Sequence, residues 1–417
     1  MKFPKLFGRT EVKESRVGAS LVMTPNQPVW SNRNYAAFAS EAYTRNVIAF
    51  RSISKIADAC ASVRWTAWRG EQELVTHPLL ELIKRPNPLQ SSSDYMRAKI
   101  GFFMIAGNGY EERVTNARGQ AAELYQLRPD RMAVIPAPNG FPKGYEYRAP
   151  NGHKVMFDME AGEIRHIKTF HPLDDWYGLS PIEPSSYSID QHNEAQAWLM
   201  GLLQNSARPS GALVSSSEQP LSNESFARLK AEIDEQHSGG RNAGRPMLLE
   251  GGLSWAAMGM SPVDMEIIEA KNSAARDVAL GLGVPPQLLG IPGDNTYSNY
   301  QEARLAFWED TVIPLLDMFA DDWSAWLGDP EGVTLKPDYD QVPAIVEKKA
   351  AQWEMADSSA DLTINERRAM KGYEPLKKGG DVVLIDAGKA TLESVLNGGA
   401  GLSADDLKAL AYGLERK

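Results

Sequence analysis

One cysteine, Cys60, occurs in 417 residues, so no disulfide can form within the chain. That fits folding in a reducing cytoplasm. Cys60 shares the apolar side of a helical pattern with Ile53 and Ile56, which predicts a small core residue. No run of about 18 apolar residues occurs, so no membrane span is expected. Lys2, Lys5 and Arg9 have no apolar run behind them, which argues against a secretory signal. Basic charge is not in excess either: 44 Lys and Arg face 54 Asp and Glu, a net charge of −10. A protein that grips nucleic acid usually carries a basic footprint. Either this chain does not meet nucleic acid, or it meets it without holding it.

Catalytic signatures are missing as well. Neither H-E-x-x-H nor a Cys/His metal spacing occurs, and there is no Gly-x-Ser-x-Gly elbow. His166 and His171 flank a strand end, where His166 reads as an ordinary strand residue. "GGRNAGRP" has the glycine spacing of a phosphate loop, but Arg245-Pro246 stands where Lys and Ser/Thr belong, and proline removes a cradle N–H. It reads as a loop. The acid pairs Asp174-Asp175 and Asp321-Asp322 are sequence neighbours, which do not converge on one substrate, so they read as solvated surface. No catalytic residue, metal or cofactor is expected.

What is present is an α+β pattern. Residues 1–40 are polar and irregular, an extended arm. A helix is expected over Glu41 to Val63, with Val47, Ile53, Ile56 and Cys60 on its apolar face. Arg64 to Trp68 reads as a strand turned at Gly70. "HPLLELIKRPNP" is a short helix stopped by Pro86 and Pro88, and a serine at 91–93 caps another to about Ile105. Residues 107–170 read mostly as antiparallel strands, with a hairpin turn at Asn151-Gly152. A helix over 181–207 follows, with Ala195, Trp198, Leu199, Leu202 and Leu203 on one face. Residues 208–260 form a small α/β insertion containing a helix capped by Ser222 or Asn223. Met258 and Met260 read as core or interface filling.

The organising stretch is Ser261 to Leu327. Ser261, Pro262 and Asp264 supply a cap, a first-turn proline and a capping-box acid, and Gly281, Gly283 and Val284-Pro285-Pro286 end that helix. A polar Gly/Pro loop over 290–299 leads to a second helix from Ser298 to Leu327. Its apolar positions are Leu305, Trp308, Val312, Leu315, Phe319, Trp323 and Trp326. The tryptophans read as core or inter-subunit packing. Pro314 lies inside this pattern, where a kink is expected. "VTLKPDYDQVP" reads as a strand that can rejoin the first sheet region. From Ala344 onward the chain reads as helical, with "LTINERRAMKGYEPLKKGGD" lying between helices, and ends in a capped helix over Ser403 to Leu414.

"GVPPQLLG" followed by "NTYSNYQEARLAFWEDTVIPLL" resembles the portal proteins of tailed bacteriophages and phage-like gene transfer agents. "HPLLELIKRPNP", "AGNGYEERV", "ELYQLRP", "EIRHIKTF" and "LTINERRAMKGYEPLKKGGD" follow the same family pattern in order, across roughly 40–385. The resemblance implies a ring-forming portal fold. In its terms 1–40 is an arm, 41–180 a wing, 181–207 a stem helix and 208–260 a clip. The second stem helix is 261–283; a tunnel loop, kinked wing helix and wing strand fill 284–343; 344–417 is a helical crown. It further implies a dodecameric ring at one capsid vertex of a virion or phage-like particle, assembled in the bacterial cytoplasm. Double-stranded DNA would pass Ile291, Pro292, Gly293, Asp294, Asn295 and Thr296. Arg241 and Arg245 would meet clip partners. The implied partners are the terminase large subunit, a head–tail adaptor and the major capsid protein, with no membrane. Another head-completion protein and a DNA-acting hydrolase remain the alternatives.

Overall fold

The computed structural model describes residues 33–138, 141–204, 211–215, 253–257, 262–292, 297–327, 332–359, 361–385 and 390–391. The chain divides into two units, Met1–Asp338 and Tyr339–Lys417.

The first unit begins earlier than its periodicity suggests. A short helix α1 (Tyr35–Ala37) runs into a π-helical segment, Phe38–Thr44, which stops before Asn46. Asn46 then caps α2 (Val47–Ser62): its Oδ1 accepts from the N–H groups of Ile48 and Ala49, both at 3.0 Å. The single helix expected over Glu41 to Val63 is thus two, because Asn46 turns its side chain back onto the new first turn. Ala49, Ile53, Ile56 and Cys60 are buried on α2, whereas Val47, expected on that face, is 63% exposed. Burial pushes the Cys60 thiol far above its ordinary range, so it is an inert core group.

β1 (Arg64–Arg69) turns at Gly70 into β2 (Gln72–Leu74). His77 caps α3 (Pro78–Lys84), and Ser91 caps α4 (Ser92–Ala106). Gly107 ends α4 in the left-handed region, and a Cβ there would lie 2.2 Å from the Leu179 carbonyl oxygen. Six strands follow: β3 (Asn108–Thr115), β4 (Ala121–Leu127), β5 (Met132–Pro136), β6 (Pro142–Arg148), β7 (Lys154–Asp158) and β8 (Ile164–Lys168). They form two antiparallel sheets, ordered β4-β3-β8 and β5-β6-β7. Tyr110, Leu127, Met132, Val134, Tyr145, Ile164 and Tyr177 make one buried cluster joining them.

Next come α5 (Ser186–Gln204), β9 (Gly211–Ser215), β10 (Leu253–Ala257), α6 (Pro262–Gly281), α7 (Tyr297–Ala306), a π-helical segment Phe307–Val312, and α8 (Ile313–Leu327). β11 (Val333–Asp338) returns to pair antiparallel with β1, Arg64 opposite Asp338 and Arg69 opposite Val333. α8 packs on this sheet: Trp323 meets Trp65 at 5.0 Å between ring centroids, and Ser324 Oγ accepts from Leu335 N–H at 2.9 Å.

In the second unit, α9 (Pro343–Ser358) precedes α10 (Ile364–Met370), which opens on a full capping box between Thr363 and Glu366. α10 thus lies inside the stretch expected to separate helices, and strands β12 (Leu384–Ile385) and β13 (Ala390–Thr391) pair where helix was expected. The helix expected over Ser403 to Leu414 lies outside the described residues.

Candidate functional site

α5 and α6 run side by side in opposite directions. Ser188 Oγ donates to Asp277 Oδ2 at 3.4 Å, while Lys271 Nζ donates to Gln196 Oε1. As one number rises the other falls, which is the signature of an antiparallel pair. At 1.5 Å per residue each helix extends roughly 30 Å. β9 and β10, the next described elements beyond α5 and before α6, also pair antiparallel, from Gly211 opposite Ala257 to Ser215 opposite Leu253. In each of these described pairs the outgoing and returning segments therefore run side by side. At the foot, a Cβ on Gly281 would lie 1.9 Å from Oγ of Ser185, the residue just before α5, so the two legs approach closely there and any larger residue would force that serine side chain to turn away.

Polar side chains fix α5 to the body. Asn46 Nδ2 donates to Asn193 Oδ1 at 3.0 Å and lies 3.2 Å from His192 Nδ1, and Asn193 Nδ2 donates to the Glu41 carbonyl at 2.9 Å. An amide donor facing Nδ1 requires that nitrogen unprotonated, and burial, with Lys271 adding to it, holds the His192 ring below its ordinary range. The buried residues of α5 are accordingly Ile189, His192 and Asn193 near its start. Trp198, expected on one apolar face with Ala195 and Leu199, is 39% exposed, because the body reaches only the first turns. Leu202 and Leu203 have side chains outside the described residues. Among the described residues of the pair Glu194, Glu266, Glu269 and Asp277 are exposed, against Arg276 as the exposed base, so acids outnumber bases on a surface that also shows Tyr187, Met200, Ile268 and Leu280 to water.

The segment after α6 is pinned at its start. Gly283 adopts φ 71°, and its carbonyl accepts from Thr311 Oγ1 at 2.6 Å. Ile291 is buried against Ala275 and Ala279 of α6. Arg276 donates a guanidinium N–H to the Pro292 carbonyl. Ile291, expected to face a passing ligand, is therefore an anchor of the loop; Pro292 is exposed. Gly293, Asp294, Asn295 and Thr296 lie outside the described residues, as do Arg241, Arg245, Met258, Met260 and the helix expected after Ser222.

Pro314 does not end the long helix. The irregularity lies just before it, in Phe307–Val312, where the N–H of Ile313 reaches back five residues to Trp308. The wide turn accommodates a ring that would crowd the preceding α-turn. It also shifts the helical phase. Phe307, Trp308, Val312, Leu316, Phe319, Trp323 and Leu327 are buried, so Leu316 replaces Leu315 and Leu327 replaces Trp326 on the inner face. Trp326 sits half-buried beside Arg113, its Nε1 donating to the Gly162 carbonyl at 2.9 Å.

His166 stacks on Tyr110 with centroids 4.1 Å apart, and Nε2 lies 2.9 Å from Asn108 Oδ1. His171 Nδ1 accepts from Leu173 N–H, a local turn contact. Asp174 likewise caps the N–H groups of Trp176 and Tyr177. Asp322 corrects the solvated-surface reading: it is 8% exposed and accepts from Arg165 Nε at 2.7 Å, across 157 residues of sequence. Only Asp321 of that pair is exposed. Among the described residues no group of three or more His, Cys, Asp or Glu is arranged to hold a metal ion, and no helix is long and apolar enough to cross a membrane.

Residues 48–372 match the family described as phage portal protein. A protein of Rickettsia bellii with no assigned function is 40% identical over 362 residues, covering 85% of this chain and 93% of that one. The portal protein of Enterobacteria phage HK97 is 25% identical over 320 residues, 75% of this chain and 73% of that protein. Among solved structures, the neck of a native gene transfer agent particle computed with C12 symmetry contains a chain 43% identical to this one. It superposes with a TM-score of 0.65 over 84% of this chain and 96% of that one.

Proposed function

The chain belongs to the phage portal protein family, and from that membership we propose that it forms a dodecameric ring at one vertex of a phage-like particle. The ring is the channel through which double-stranded DNA is packaged and ejected, and it has no catalysis of its own. One observation carries this reading: two antiparallel helices of roughly 30 Å leave the body together and frame an insertion. Repeated about an axis, such pairs line a passage. The acidic balance of their exposed charges suits a duplex that must move, because every neutralised phosphate adds affinity and hence drag.

In this arrangement residues 41–180 are the wing and the α5–α6 pair is the stem. Residues 208–260 are the clip that receives the terminase large subunit and later a head–tail adaptor, with Arg241 and Arg245 as contacts. Pro292 to Thr296 form the loop nearest the DNA, and 344–417 form the crown. The wing faces the major capsid protein, and assembly takes place in the bacterial cytoplasm. The twelvefold symmetry of the similar neck particle supports the copy number.

Imaging and weighing the purified assembly test this. The expected result is annular particles with a central hole and a mass near twelve times 45.9 kDa. A discrete monomer that cleaves DNA would overturn the reading.

A further inference from the structure

Arg51 and Lys55 lie one turn apart on α2 and line a cleft of about 280 Å³ together with Arg304 of α7. Tyr300 and Trp308 line it too. Burial lowers the Lys55 ammonium below its ordinary range, Arg51 and Arg304 lower it further, and Asp58 opposes them. Asp58 is itself engaged, accepting from Arg97 Nε at 2.7 Å. Among the described residues none of the three cations forms an ion pair. Like charges gathered this way repel, and an acidic chain offers many places to relieve them. Asp58 also lines the cleft, so three cations face one carboxylate already paired with Arg97, and the cleft keeps an excess of positive charge.

Further along the same long helix, Asp310, Asp317 and Asp321 are exposed at spacings of seven and four, a row on one side. Among the described residues Asp310 and Asp321 form no ion pair. We propose that these two surfaces meet between copies: Arg51, Lys55 and Arg304 of one chain receive the row Asp310, Asp317 and Asp321 of the next. The inference rests on the ring reading above. A closed ring needs two different, complementary patches on every chain, and this is such a pair. Val47, one turn before Arg51, is 63% exposed and Tyr300 is 45% exposed. Apolar surface bordering the charges suits a protein partner better than a phosphate backbone.

Charge reversal in the full chain tests the contact, with ring content read by mass photometry in about 150 mM salt. Lys55→Glu with Arg304→Glu should raise the concentration for half-assembly by at least about tenfold. Asp317→Lys with Asp321→Lys should do the same, and combining both sets should restore rings. Arg51→Glu, on an exposed position, gives the same readout should the first pair melt early. Reversed chains that assemble like the unmodified protein would overturn the contact. So would reversal that weakens duplex DNA binding while leaving rings intact. An unmodified chain that never forms rings would instead overturn the ring reading itself.

Discussion

Lys99 Nζ sits 2.5 Å from Glu111 Oε2, with both side chains 2% exposed. The same carboxylate accepts from Tyr95 OH at 2.5 Å and from Trp323 Nε1 at 2.9 Å, and the ammonium lies over the rings of Trp323 and Phe319. Burial lowers the Lys99 ammonium below its ordinary range, and Glu111 opposes that. One satisfied ion pair thereby joins α4, β3 and α8 at the centre of the first unit.

Removing one partner strands the other. Glu111→Leu should destabilise by about 3–5 kcal/mol in urea denaturation, whereas Lys99→Met combined with Glu111→Leu should cost clearly less. A single substitution costing under about 1 kcal/mol would mean that the pair is hydrated.

Acid should weaken the fold through His166. Burial, with Lys168 and Arg165 adding to it, pushes its ring down to about 3 from an ordinary 6.5. Asn108 Oδ1 also accepts from Gly178 N–H, and the amide nitrogen donates to carbonyls, so the neutral ring donates from Nε2. The unfolded chain takes up a proton near 6.5 and the folded one does not until about 3. This contribution is complete above pH 6.5 and is lost on acidification, at about 1.4 kcal/mol per pH unit for one proton. His166→Phe should flatten the acid limb of urea midpoint against pH; an unchanged limb would assign it to other groups.

Trp308 is 7% exposed within the wide turn. Trp308→Ala should cost about 3–5 kcal/mol. A loss below about 1 kcal/mol, read from denaturant midpoints, would show that the site collapses onto smaller side chains.

Arg276→Ala removes the donor to the Pro292 carbonyl. It should leave ring assembly and melting temperature nearly unchanged while impairing genome retention, as should deletion of 292–295. Normal DNA packaging and retention in both variants would move the DNA-nearest segment elsewhere.

Much of this architecture is written locally in the chain. The capping serine and the Asn151-Gly152 turn act through neighbouring residues, so sequence alone places the turn and narrows the cap to 91–93, of which the fold uses Ser91. The helix of Pro262–Gly281 and the strand of Arg64–Arg69 follow from capping, glycine and alternation in the same way. What escaped is long-range. The Arg165–Asp322 pair spans 157 residues, and adjacency with Asp321 suggested plain surface instead. The exchange of Leu315 for Leu316 follows from a single wide turn, which a fixed 3.6-residue period cannot register. Burial of Ile291 depends on Ala275 and Ala279, small residues that leave room for it. The spacing of Arg51 and Lys55 was visible, but their convergence with Arg304 needed the fold.

The shared foot at Ser185 and Gly281 makes the projecting part of this chain modular. Exit and entry coincide, so length can be trimmed from both legs at once without re-routing the body. Deleting seven residues, about two turns, from each helix would retract whatever they carry by about 10.5 Å and rotate it by only about 20°. A stalk of this kind can change its reach in steps of about two turns while its base stays the same.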